Sequence, residues 1–234
     1  MITLRRQETK GGFMDKKQYQ AVIFDLDGTL IDSMWVWEEI DRQFLGKRNI
    51  LLNHNMDTEL EGKSFTETAE YFKERFNLDM EVEDIKAEWN EMAFEFYSTQ
   101  VPLKKGAKKF LETLKNHGIK MGIATSNSTL LVGVVLKALD IKEYFDTIKT
   151  SCEVGRGKPF PDIYLKVAEG LQVEPEACLV FEDIPNGIRA GKNAGMTVGC
   201  VKDRQSEECW QQAVSLADFS IEDYQEVIDR FLNL

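Results

Sequence analysis

What this sequence lacks narrows its chemistry before any motif is read. No apolar run approaches the ~20 residues that a membrane-spanning helix needs, so no membrane role is expected. Positive charge is scarce: 29 Lys and Arg stand against 40 Asp and Glu, a formal charge of −11. A nucleic-acid partner calls for a basic face, so none is expected. The same acidity repels phosphorylated compounds, and a site handling phosphate would need a local cation. Histidine is reduced to His54 and His117; neither sits in a motif, and both read as solvent-facing. The cysteines Cys152, Cys178, Cys200 and Cys209 are far apart with no CxxC pair, which argues against a Cys/His zinc site. Cys178 and Cys200 lie among strand-like residues and read as buried free thiols in a reducing, cytoplasmic compartment. There is no internal repeat and no low-complexity linker. The opening MITLRRQETKGGF lacks the apolar core of a signal peptide; Met14-Asp15-Lys16-Lys17 reads as the natural start, and residues 1–18 are expected to be a disordered extension.

What is present is enough for one large domain, or for a core domain carrying a smaller one: 234 residues, 43% of them hydrophobic. Residues 20–25 form a short apolar run with β-branched members, a buried strand. From Met34 to about Thr99 the chain is charge-rich with helical spacing. Trp37, Ile40, Phe44 and Leu45 share one helix face. Ser64 and Glu67 make a capping box that opens a helix through Phe76. Ile85, Trp89, Met92 and Phe96 stripe a third helix, from about Val82 to Tyr97. After Pro102 helices and strands alternate: helix Ala107–His117, strand Ile119–Ala124, helix Leu130–Leu139, a weak strand Thr147–Thr150. Then come helix Asp162–Leu171, strand Ala177–Phe181, helix Gly187–Ala194, strand Thr197–Val201 and a last helix Ile221–Phe231. Such alternation predicts an α/β fold, a parallel sheet covered on both faces. The helical block is an insertion after its first strand.

Ligands of such sheets bind beyond the carboxyl ends of the strands, and the polar residues of this chain collect there. The first strand runs into Asp25 and Asp27, the second into Thr125-Ser126-Asn127, a later one into Glu182-Asp183. Between the last two lies Lys158, in Gly157-Lys158-Pro159-Phe160-Pro161-Asp162. Asp25, Asp27, Glu182 and Asp183 would repel one another in one cleft. A hard cation resolves this, and carboxylates with a phosphate oxygen suit magnesium. A carboxylate can attack phosphorus to form an aspartyl-phosphate, and a second one two residues on can protonate the leaving oxygen and later activate water. Lys158 supplies positive charge. Thr125 and the backbone N–H groups near Ser126 and Asn127 can donate to a phosphoryl group at a helix N-terminus; Thr125 is also a candidate helix cap. Asp32 reads as a cap or brace for the linker that follows, and Trp35, Trp37 and Trp89 either pack in a core or, for the first two, face the cleft.

DLDGT, the strand-end Thr125, KPFPD and the FED of Phe181-Glu182-Asp183 together resemble the four motifs of haloacid dehalogenase-like phosphatases, in order and over nearly the whole chain from residue 20. FEDIPNGIRAG is similar to the signature of the β-phosphoglucomutase-like branch, with Ile184-Pro185 in place of the commoner Ser-x. The resemblance implies a Rossmann-like three-layer α/β/α core (residues 19–33 and 102–234) with an inserted all-helical cap (residues 34–101). It implies Asp25 as nucleophile, Asp27 as general acid/base, and Thr125 and Lys158 on phosphoryl oxygen. Mg2+ would be held by Asp25, the Asp27 carbonyl and Asp183, with Glu182 acting through water.

The expected activity is hydrolysis of a small phosphorylated metabolite, a sugar phosphate by resemblance, by a monomeric enzyme. A phosphomutase is the nearest alternative. The mutases of this branch carry a histidine in the first cap helix and a basic residue in a cap loop after Lys-Gly. Here those positions are Trp37, Glu61-Gly62 and Phe65, which favours a hydrolase. Ser126, Asn127, Glu61, Lys63 and Trp37 are the candidate substrate contacts. A dehalogenase would have no use for Asp27, and intact motifs argue against a catalytically silent binding protein.

Overall fold

The computed structural model describes residues 2–4, 17–51, 57–204 and 207–231. In chain order these form β1 (Ile2–Leu4), β2 (Lys17–Tyr19), β3 (Ala21–Phe24), α1 (Met34–Gly46), α2 (Asp57–Leu60), α3 (Phe65–Arg75), α4 (Val82–Thr99), α5 (Ala107–Asn116), β4 (Lys120–Thr125) and α6 (Thr129–Ala138). There follow β5 (Thr147–Thr150), α7 (Asp162–Leu171), β6 (Cys178–Glu182), α8 (Pro185–Asn193), β7 (Thr197–Val201), α9 (Glu207–Leu216), β8 (Phe219–Ile221) and α10 (Tyr224–Phe231). Six strands make one sheet in the order β5-β4-β3-β6-β7-β8, every neighbouring pair parallel.

Strand residues alternate between two helical layers, as a period of two requires. Val22, Phe24, Leu179 and Phe181 face one side, with Phe110 and Leu114 of α5 and Tyr224 of α10. Ala21, Ile23, Cys178 and Val180 face the other, with Ile163 and Val167 of α7 and Ile188 of α8. At the centre of the first layer Phe24 stacks on Phe181 (5.6 Å between centroids, 14° between planes) and meets the edge of Phe110 at 6.0 Å. The expected three-layer α/β/α arrangement is what forms, and Cys178 and Cys200 are buried and in no disulfide.

Among the described residues, the regular elements between β3 and α5 are all helices. The Ser64–Glu67 capping box opens α3, and Trp89 anchors a nest of rings: Phe72 at 4.9 Å, Phe44 at 5.5 Å and Phe65 at 5.7 Å. Two stripes differ from expectation. In α1 the buried face is Val36, Ile40, Phe44 and Leu45, with Trp37 half-buried at its edge. In α4 it is Ile85, Trp89, Ala93 and Tyr97, with Met92 and Phe96 flanking. The buried row follows i, i+4 steps to Tyr97, whose hydroxyl meets Asp27 and Asn127 of the sheet domain.

Further differences lie at the chain ends. The expected disordered extension is corrected for Ile2–Leu4, which pair antiparallel with Lys17–Tyr19; Met14 and the rest of the residues before Lys17 lie outside the described residues, as does His54. Ile221 belongs to the edge strand β8, and the last helix begins at Tyr224. His117 is exposed, as expected.

Phe110 is fully buried and touches Phe24, Phe181 and Tyr224 from a helix that carries none of the candidate site residues. Phe110→Ala is expected to cost about 3–5 kcal/mol of folding stability, read as a lower urea midpoint at unchanged slope.

Candidate active site

The order of strands places β3 between β4 on one side and β6 on the other. The chain reverses its direction of travel across the sheet there, and a crevice opens beyond the carboxyl ends of these strands. Phe24 is in register with Ile123 and Phe181, so Asp25 and Glu182 leave adjacent strands at the same level, and Thr125 ends β4 one residue further along. The Asp25 N–H still donates to the Phe181 carbonyl at 3.0 Å, which continues the ladder up to the carboxylate and fixes its height.

Lys158 arrives between β5 and α7. Its ammonium donates to Asp25 Oδ1 at 2.5 Å and to Glu182 Oε1, and Lys158, Asp25 and Glu182 are all buried. Glu182 is held on every side: Oε1 also accepts from the Tyr164 hydroxyl at 2.8 Å. Its Oε2 accepts from the N–H groups of Asp183 at 2.9 Å and Ile184 at 3.2 Å. With four protein donors on it, Glu182 acts as the anchor of Lys158. Asp183 lies alongside, its Oδ1 accepting from Thr29 Oγ1 at 2.7 Å. Two glycines make the room. At Gly28, with φ of +81°, a Cβ would stand 2.4 Å from Asp183 Oδ2; at Gly187 it would stand 1.9 Å from Glu182 Oε1.

Three carboxylates crowd together here, and one ammonium bonds two of them, Asp25 and Glu182. Burial pushes the Asp25 carboxyl up to about 8, against the pull of Lys158, and Glu182 adds to the rise. Burial and the neighbouring Glu182 and Asp25 likewise raise Asp183 well above the usual range. Burial disfavours the Lys158 charge, but Asp25 and Glu182 outweigh it and hold the ammonium above its ordinary value. One oxygen from each of Asp25, Glu182 and Asp183 lies within 4.8 Å of the others. An all-oxygen set with excess negative charge fits a small hard divalent cation.

Asp27 sits on the other side of the loop. Its Oδ1 accepts from Ser33 Oγ at 2.7 Å and from the Tyr97 hydroxyl, and its Oδ2 accepts from Asn127 Nδ2 at 2.9 Å. Asn127 Oδ1 takes the Ser128 N–H at 2.6 Å, which turns the amide so that Nδ2 faces Asp27. Thr125 is buried, and its hydroxyl accepts the Asn127 N–H at 3.1 Å. The cap of α6 itself is Ser128, accepting from the Leu131 N–H at 3.2 Å.

The helical segment is sewn to the crevice by main-chain bonds. Phe65 N–H donates to the Ser126 carbonyl at 3.0 Å, and Lys158 N–H donates to the Gly62 carbonyl at 2.8 Å. Glu61 Oε1 accepts the Asn186 N–H at the start of α8 at 2.6 Å, and Asn186 Nδ2 returns to the Glu61 carbonyl at 3.0 Å. Lys63 follows this loop, half-buried, 6.0 Å from the Tyr71 ring. Trp37 meets Phe65 at 5.9 Å and Tyr97 at 6.1 Å. Trp35 donates to the Asp32 carbonyl at 3.0 Å, and the Asp32 carboxylate meets Arg204 at 3.3 Å, the bracing expected of that linker. The residues that sequence reasoning missed are Tyr97, Tyr164 and Asn186. Tyr97 and Tyr164 lie on helix faces whose spacing announces only burial; Asn186, in the first turn of α8, lies in the recognised stretch but carries no signal of a partner in a distant loop.

Residues 19–195 match the family model of the haloacid dehalogenase-like hydrolases. A phosphorylated carbohydrates phosphatase of Thermotoga maritima is 32% identical over 177 residues, covering 76% of this chain and 82% of that protein. A bifunctional riboflavin kinase/FMN phosphatase of Arabidopsis thaliana is 34% identical over 187 residues, 78% of this chain; the chain spans about half of that longer protein, 48%. A crystal structure of β-phosphoglucomutase from Clostridium difficile superposes with a TM-score of 0.76 at 25% identity, over 91% of this chain and 97% of the other.

The glycine at 187 yields a paired test. Gly187→Ala drives a methyl group into the Glu182 carboxylate and displaces the partner of Lys158, at an expected cost of about 1–3 kcal/mol. Gly133→Ala, in α6 with nothing within 4 Å of the new Cβ, is expected to be neutral or to stabilise by up to about 1 kcal/mol. Chemical denaturation of the two variants reads both.

Proposed function

The chain belongs to the haloacid dehalogenase-like hydrolase family, and from that premise we propose that it is a magnesium-dependent phosphatase of small phosphate monoesters. Sugar phosphates are the leading substrate class, in keeping with the Thermotoga maritima relative named for phosphorylated carbohydrates. The observation that carries the reading is the division between two carboxylates on one loop: Asp25 against a buried ammonium, Asp27 among three neutral donors.

In this reading Asp25 attacks phosphorus in line, the bond to the leaving oxygen breaks, and Asp27 gives that oxygen a proton. Water then attacks the aspartyl-phosphate, Asp27 takes a proton from it, and inorganic phosphate departs. Lys158 keeps the nucleophile and the phosphoryl oxygens compensated, since a buried carboxylate beside a dianion is otherwise strongly repelled. Thr125 and the backbone N–H groups beside Ser126 and Asn127 steady the phosphoryl group. Asp25, the Asp27 carbonyl and Asp183 would hold Mg2+, with Glu182 behind them; bound there, the ion neutralises phosphoryl charge that the single ammonium leaves over. Residues 34–101 act as a cap over the crevice that excludes water and selects the leaving group through Lys63, Trp37 and the Glu61 loop. Ring packing supports hydrolysis over the mutase alternative. Trp37 and Phe65, at the positions where a mutase carries a histidine and a basic residue, are engaged with each other, with Tyr97 and with Trp89.

Release of p-nitrophenol from p-nitrophenyl phosphate should need magnesium and stop with a chelator. Asp25→Asn should bring it to background. Asp27→Ala should slow hydrolysis of alkyl phosphates by at least ~10², with magnesium binding, followed by calorimetry, partly retained. Absence of any turnover, over a panel of metabolites that includes both anomers of glucose 1-phosphate, would refute the proposal.

A further inference from the structure

Tyr97 stands at the end of α4, fully buried, at the join between the helical segment and the sheet domain. A buried tyrosine needs some partner for its hydroxyl, and this one has two: the O–H donates to Asp27 Oδ1 and the oxygen accepts from Asn127 Nδ2 at 3.0 Å. Burial and the adjacent Asp27 charge raise the phenol well above its ordinary value, so it remains a neutral donor. A carboxylate offers about four acceptor positions. Ser33 and Tyr97 fill both on Oδ1 and Asn127 fills one on Oδ2, which leaves one, on Oδ2, for a reacting proton. The ring of Tyr97 is itself set by Trp37 at 6.1 Å.

We propose that Tyr97 is a positioning residue: its hydroxyl, supplied by the helical segment, aims the free lone pair of Asp27 Oδ2 at the leaving oxygen. The proposal rests on the phosphatase reading above. An acid must come within about 2.6–3.2 Å of the atom it protonates, and a carboxylate released from one of three donors turns about its own torsions. Ser33 belongs to the sheet domain's loop and Asn127 to the loop before α6, so Tyr97 is the donor that makes acid alignment depend on the helical segment being docked.

Leaving groups of different basicity separate alignment from mere packing. Phenyl phosphate expels a phenoxide whose conjugate acid has a pKa near 10, like tyrosine, and needs the proton; p-nitrophenyl phosphate, of nearly the same shape, expels a phenolate that leaves without one. Tyr97→Phe keeps the ring and removes the hydroxyl. Its kcat/KM is expected to fall about tenfold or more on phenyl phosphate and by less than about threefold on p-nitrophenyl phosphate, with little change in KM or thermal midpoint. Equal losses on both esters, or none on either, overturn the proposal. If Tyr97→Phe does not fold, Ser33→Ala, which removes the other donor on the same oxygen, must show the same split. Failure of the unaltered protein to hydrolyse either ester overturns the phosphatase reading itself, a result distinct from unequal or equal losses in the variant.

Discussion

The contact on which the site depends is the buried ammonium of Lys158 held between Asp25 and Glu182. Buried ion pairs seldom add net stability, because desolvation of both partners offsets their attraction, but removing one partner strands the other at a cost of several kcal/mol. The surroundings are accordingly committed to keeping this one intact. Tyr164 and two backbone N–H groups complete Glu182, a glycine leaves its carboxylate room, and the main chain of Lys158 is tied to Gly62. The consequence is an asymmetry between two anions. Glu182 is saturated by protein donors, whereas Asp25, among the described residues, keeps the ammonium as its one polar side-chain partner, which on the proposed reading leaves an oxygen for chemistry.

The second carboxylate is set apart by environment more than by distance along the chain. Asp27 lies two residues from Asp25, yet its donors are a serine, an amide and a phenol, none of them charged. On the proposed reading Asp27 releases and regains a proton, and a permanent ion pair would fix its charge; neutral hydrogen bonds orient it and leave its charge able to change. One loop thus holds a carboxylate whose charge is compensated and one whose orientation is.

Most of the sheet domain was legible because each α/β unit writes two periods into the sequence, and the turns between them carry glycine or proline. The strands Thr147–Thr150 and Thr197–Val201 and the helix Asp162–Leu171 lie at their expected bounds. The strand at Phe219–Ile221 was not legible. At three residues on the sheet edge it has too few alternations to separate from the helix after it, and Ile221 fits either pattern. The core candidates Asp25, Thr125, Lys158, Glu182 and Asp183 converge as their positions at strand ends imply, since a parallel sheet brings those ends to one side. Tyr97 illustrates what spacing cannot convey. Its place on an apolar stripe is explained by burial alone, and its polar end matters only because α4 runs on past the helical segment into the sheet domain. Sequence periodicity reports which face of a helix is covered and is silent on what covers it.

The seam between the two parts of the molecule includes two backbone bonds, Phe65 N–H to the Ser126 carbonyl and Lys158 N–H to the Gly62 carbonyl, beside the reciprocal pair of Glu61 and Asn186. Main-chain bonds of this kind survive most side-chain substitutions, because they need only the local chain path and not a particular residue. They fall on the motif loops of Thr125 and Lys158, and the Glu61–Asn186 pair adds the one after Glu182-Asp183. Docking of the helical segment is thereby referenced to the groups proposed to handle the phosphoryl group and not to the substrate. The side chains that border the seam, Trp37 and Lys63 among them, are then left to vary without disturbing how the two parts meet. On the proposed reading such a scaffold would hold the chemistry constant while the choice of leaving group changes, and Asp27, which would serve both, sits where the two parts join.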